Sequence, residues 1–142
     1  MHTPFQPSEQ VWATLEAMNE ASHRGQPFFF ILDFELQEGV FVLEPLQHHD
    51  GSLFFDFPTA KTPDPIGTKG TLTLTPSPEA PERYDGRFDI IHRGLMRGDS
   101  FLTNLTIRTP IETEASLADI YLSSEATYRV LLPGRFVSFS PE

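Results

Sequence analysis

The stretch Thr127-Tyr128-Arg129-Val130-Leu131-Leu132-Pro133-Gly134-Arg135-Phe136-Val137-Ser138-Phe139 decides the fold class. Two apolar runs flank a Pro-Gly pair. Pro presets φ for the first turn position and Gly accepts positive φ at no steric cost. Thr127 to Leu132 and Arg135 to Phe139 therefore read as the two antiparallel arms of a hairpin. In the second arm Phe136, Ser138 and Ser140 alternate with Val137 and Phe139, the period of a strand with two unlike faces.

Upstream, Ser116 with Asp119 resembles a weaker capping box and opens a short helix through Ser124. Ser100 to Arg108 reads as a strand. Tyr84, Phe88, Ile91 and Leu95 recur at i, i+4, i+7 and i+11, which predicts an amphipathic helix over 82–97 ending at Gly98. Pro76, Pro78 and Pro81 form a stiff connector. Thr71-Leu72-Thr73-Leu74-Thr75 alternates as a half-exposed strand does.

The Pro- and Gly-rich residues 58–69 read as a loop. Ser52 to Phe57 and Val40 to Leu46 read as strands, with a turn at Gln37-Glu38-Gly39. Phe28 to Phe34 is a continuous apolar run, the pattern of a strand buried on both faces. Residues 8–24 carry Val11, Trp12, Leu15 and Met18 at helical spacing behind a Ser8 cap. The sum is α+β, mostly antiparallel sheet with outer helices. The domain reading is one incomplete domain over 1–142, made of 1–75, the connector 76–81, and 82–142.

Composition narrows the function classes. With 142 residues, 39 % of them hydrophobic, and 13 Phe, the chain has the makings of a packed core. Ten basic against 20 acidic residues give a net charge of −10. That balance lacks the basic stripe a nucleic acid or an anionic membrane surface requires. There is no cysteine, which excludes disulfides and thiolate zinc sites. The first residues show no secretory signal, and the longest apolar run is too short to span a bilayer. The expected location is the cytoplasm.

Three constellations invite chemical readings. His48-His49-Asp50 suggests a metal, but adjacent residues on a strand point to opposite faces, so a solvated loop is the better reading. Asn104-Leu105-Thr106 matches a glycosylation acceptor; without a secretory signal, Asn104 is expected to serve structure. Asp33 and Glu35 share a strand face, as acid–base pairs do, and equally read as the solvated end of that strand.

A longer pattern covers residues 82–142: the amphipathic helix, Gly98-Asp99-Ser100-Phe101-Leu102-Thr103-Asn104-Leu105, a short helix, the hairpin, then Phe139-Ser140-Pro141-Glu142. It resembles the chorismate-utilising enzymes, closest to aminodeoxychorismate synthase component I. Leu102 replaces the family's usual Gln, and Ser124-Glu125-Ala126-Thr127-Tyr128 replaces the Asn-Pro-x-Pro-Tyr run of many anthranilate synthases.

The resemblance implies the N-terminal portion of that synthase sandwich fold, with 82–142 beginning its chorismate-binding region. It implies amination of chorismate on the way to p-aminobenzoate and folate, with a glutamine amidotransferase subunit as partner. Mg2+ is implied for the longer enzyme and none for this chain. Glu142 matches the general acid or base, with Gly98, Asp99, Asn104, Ser140 and Pro141 as motif residues. The nucleophilic lysine of that family lies in a later segment, so this chain alone is expected to lack synthase activity. Its uncovered apolar strands, Phe136 and Phe139 among them, are expected to favour self-association. The alternatives are a non-catalytic acidic α+β binding module and a fragment of the anthranilate or isochorismate branch.

Overall fold

The structure is a computed structural model that describes residues 6–47 and 49–140. In chain order the elements are α1 (Glu9–His23), β1 (Phe28–Leu32), β2 (Gly39–Leu43), β3 (Phe54–Phe57), β4 (Ala60–Lys61), β5 (Thr75–Pro76), α2 (Pro81–Arg97), β6 (Ile111–Glu112), α3 (Leu117–Ser123), β7 (Arg129–Leu132) and β8 (Phe136–Phe139). Every strand pairing is antiparallel, as the sequence predicts. The chain divides into two compact units, Met1–Gly70 with Ser116–Glu142, and Thr71–Ala115.

In the first unit the four-stranded sheet runs in the order β4-β3-β7-β8. Its two faces bury different layers. Period-two alternation sends Phe55 and Leu132 to one face, where they pack with Leu53 and with Phe29, Ile31, Val40 and Val42 of the β1–β2 hairpin. Phe54 and Leu131 go to the other, where they pack with Tyr121, Leu117 and Leu122 of α3. The terminal hairpin follows its sequence reading: Phe136 joins the first layer and Val137 the second. Phe136 is half-buried and Phe139 is exposed.

Local chemistry fixes the helices. Ser8 Oγ accepts the Val11 N–H at 3.2 Å and caps α1. Ser116 and Asp119 form a full capping box at α3, stronger than its sequence suggests. Against β2, α1 approaches so closely that a Cβ on Gly39 would sit 2.6 Å from Thr14 Oγ1. Glycine is therefore required there by contact rather than by conformation.

Three strand expectations need correction. The run from Phe28 is not buried on both faces: β1 belongs to a two-stranded hairpin and Phe30 is 47 % exposed. In Thr71–Thr75 only Thr75 lies in a strand, paired with Glu112. Residues 100–108 form no strand. Alternation makes a strand only where a neighbour takes the backbone hydrogen bonds, and the second unit supplies such a neighbour for two residue pairs.

In that second unit α2 begins with Pro81 at its first turn and ends at Gly98, φ +80°. The Gly98 N–H bonds the Leu95 carbonyl and the Asp99 N–H the Gly94 carbonyl, each at 3.0 Å, which is a Schellman closure. None of its residues is buried.

Leu131 is 1 % exposed, and Leu131→Ala is expected to cost about 2–5 kcal/mol in urea unfolding. Ser116→Ala removes one cap and should cost about 1 kcal/mol. Equal losses from the two would contradict the two-faced core.

Candidate functional site

Two features of the first unit have the makings of a site. One lies on the α3 face of the sheet. The register aligns Lys61 of β4 and Arg129 of β7 on either side of Asp56 of β3, so three strands place a cation–anion–cation row on one face. Asp56 Oδ2 accepts from Arg129 Nη2 and lies 3.2 Å from Lys61 Nζ. Lys61 also reaches Asp64 Oδ1 at 3.0 Å. Arg129 Nη1 donates to the Ser124 carbonyl at 2.6 Å, at the C-cap of α3, where a cation meets the negative end of the helix. Its guanidinium sits 5.4 Å from the centroid of the Tyr121 ring.

The protonation states follow from these contacts. Burial pushes the Asp56 carboxyl up, but the Lys61 hydrogen bond and the charges of Arg129 and Lys61 outweigh it and hold the group below the usual carboxylate range. The hydrogen bond to Asp64, then that to Asp56, raises Lys61. Burial first, and the Asp56 charge second, raise Tyr121 and keep its phenol protonated. The Tyr121 hydroxyl and Arg129 Nε are buried without a hydrogen-bond partner among the described residues. A carboxylate clamped between two cations is a poor proton acceptor, so this row suits holding α3 on the sheet better than acid–base work.

The second feature lies on the opposite face. A cavity of about 280 Å³ opens among Phe28, Phe29, Leu46, Phe55, Phe57 and Ala60, with Pro27, Glu44, Pro45 and Gln47 completing its lining. Phe29 stacks on Phe55 with centroids 5.6 Å apart and planes 13° apart, and Phe55 lies 5.0 Å from Phe57.

The residues singled out from sequence do not converge. Asp33 closes the β1–β2 turn: its Oδ1 accepts the Gln37 N–H at 2.8 Å and the Glu38 N–H at 2.9 Å. Glu35 is exposed in that turn. His49 contacts the Leu53 carbonyl at 3.0 Å and meets the Phe54 ring edge-on. Asp50 accepts from Ser52, and His48 lies outside the described residues.

Among the described residues no three His, Asp or Glu side chains are grouped to hold a metal. Asn104 is exposed. Gly98 and Asp99 close α2, Asp99 pairing with Arg97 at 2.6 Å. Ser140 extends the terminal hairpin: its N–H donates to the Tyr128 carbonyl at 2.9 Å, and its Oγ accepts the Tyr128 N–H at 3.2 Å. Pro141 and Glu142 lie outside the described residues.

Sequence reasoning missed the Lys61–Asp56–Arg129 row and the cavity. A signal was available for the first: a charged residue between Phe55 and Phe57 in an apolar strand has to be paired.

The chain is similar to proteins of two bacteria. It is 32 % identical over 140 residues to an uncharacterized PabA-like protein of Pasteurella multocida, covering 92 % of this chain and 40 % of that protein. It is 32 % identical over 133 residues to an uncharacterized PabA-like protein of Haemophilus influenzae, covering 88 % and 39 %. The chain thus spans about two fifths of the length of these curated relatives. No family model and no solved structure matches.

These relatives overturn the component I reading. PabA-like names the glutamine amidotransferase component, not the component that aminates chorismate. Of the motif residues, Gly98 and Asp99 close a helix and Ser140 extends a hairpin. The expectations of chorismate and Mg2+ rested on the same resemblance alone.

Because the folded-state pKa of Asp56 is depressed, its stabilisation is complete above its unfolded value of about 3.9 and is lost as pH falls through the lower folded value. Unfolding free energy measured against pH should therefore decline below about pH 4. Asp56→Asn should flatten that limb, and an unchanged limb in the variant would contradict the assignment.

Proposed function

We propose that the chain is a non-catalytic docking portion of a PabA-like protein that serves p-aminobenzoate formation in a complex with an aminodeoxychorismate synthase partner. The observation that carries this reading is the apolar stripe of α2, which has no cover within its own unit. Tyr84, Phe88, Ile91 and Leu95 form an apolar stripe, yet Tyr84 is 40 % and Phe88 48 % exposed and no residue of the helix is buried. A helix of 17 residues owes most of its stability to packing of such a stripe, so a surface outside this unit is its natural cover.

Charge gives that surface a character. Arg83, Arg87, Arg93 and Arg97 share this helix with Glu82, Asp85 and Asp89, and Arg87 and Arg97 pair with Glu79 and Asp99. The stripe with this mixed border suits a partner surface with an apolar groove and a rim of both charges. The PabA-like names of the relatives support this pathway context and kind of partner.

The chain's own role is binding rather than turnover. Releasing ammonia from an amide by covalent catalysis requires an activated nucleophile. The chain has no cysteine, and its best-formed polar cluster is the neutralised Asp56 row. Any such chemistry belongs, on this reading, to the three fifths of the relatives' length that the chain does not span.

The purified chain should co-elute with an aminodeoxychorismate synthase component on size-exclusion chromatography and release no glutamate from glutamine. Phe88→Glu should abolish co-elution while leaving the helical circular dichroism intact. Failure to associate, or association unaffected by Phe88→Glu, would refute the docking role.

A further inference from the structure

We infer that the aromatic cavity between the β1–β2 hairpin and the four-stranded sheet is a binding site for a small neutral aromatic molecule of one or two rings. Three observations converge on it. The first is size: at about 280 Å³ the space is well beyond the water-sized voids that close-packed interiors keep. Apolar cavities of roughly 150 Å³ already stay dry and accept benzene, so a single ring fits with room for a second.

The second is the shape of the wall. Phe29 and Phe55 lie nearly parallel, 13° apart, and Phe57 is tilted 34° from Phe55. A flat ring entering there gains offset-stacked and edge contacts of the kind aromatic pairs prefer. Ala60 is the small residue of this wall, and its methyl group leaves the space that a larger side chain would fill.

The third is the rim. Glu44 carries φ +47°, a left-handed conformation that non-glycine residues seldom adopt. Its N–H bonds the Pro27 carbonyl at 2.8 Å and its carbonyl accepts the Gln47 N–H at 2.9 Å. This strained turn carries Pro45 and Leu46 into the cavity lining, and stored backbone strain of that kind clusters at binding sites.

The lining also sets the ligand's charge. Among the described residues its lining contains no Lys or Arg. An anionic ring would give up its hydration in this largely apolar lining, so neutral aromatics are favoured over benzoates.

The test is titration of the 142-residue chain with indole as the neutral probe and benzoate as the anionic one, followed by amide chemical shifts. Indole should bind saturably with shifts centred on Phe29, Phe55, Phe57 and Ala60, and benzoate at least about tenfold more weakly. Ala60→Phe fills the space and should lose indole binding by a similar factor, with Ala60→Leu as the milder filling variant should the first not fold. Absence of saturation, shifts centred elsewhere such as the α2 face, benzoate binding as tightly as indole, or undiminished binding by a folded filled variant would each overturn the proposal.

Discussion

Strand β3 is buried on both faces, and the first unit is organised around that constraint. Phe54 and Asp56 face α3; Phe55 and Phe57 face the β1–β2 hairpin. A half-exposed strand needs one apolar layer, but this one needs two. Helix α3 supplies one and the hairpin the other. Placing Asp56 on the α3 face follows from the same alternation, and it creates the need for Lys61 and Arg129 beside it. The ion row is thus a consequence of the strand's period rather than a separate invention.

The two faces divide the unit's duties. On the α3 side every strong polar contact is internal: Arg129 joins Asp56, the Ser124 carbonyl and the Tyr121 ring. Removing either partner of such a pair leaves a charge poorly compensated, which is why these arrangements resist change. On the hairpin side the layer is aromatic and incompletely filled near Phe28 and Phe57. Rigidity on one face and accommodation on the other are what a binding scaffold requires. The second unit differs in kind, since α2 fixes its own ends by Pro81 and Gly98 while its apolar stripe goes without cover in that unit.

Much of this was legible in the sequence where local chemistry decides the outcome. Ser8, Ser116 with Asp119, Gly98 and Pro133-Gly134 mark ends and turns through backbone geometry and short-range hydrogen bonds, and each does so in the structure. Segments that depend on a distant partner were harder to read. Thr71–Thr75 and Ser100–Arg108 have strand-like patterns, yet pairing in that unit is confined to Thr75–Pro76 with Ile111–Glu112. The site was less legible still, because Lys61, Asp56 and Arg129 meet through sheet register, which the sequence does not display. The component I reading rested on short motifs, Gly-Asp after a helix and Ser at a strand end, which also serve as local caps and closures, and it gives way to the PabA-like names of the relatives.

Within the first unit β3 is covered on both faces, whereas the apolar stripe of α2 has no cover within its own unit. Native-state hydrogen exchange tests it directly. Amides of β3 and β7 should be the most protected and exchange together, with α2 amides exchanging much faster through separate opening. Protection of α2 equal to that of β3 in the isolated chain would contradict this difference between the units.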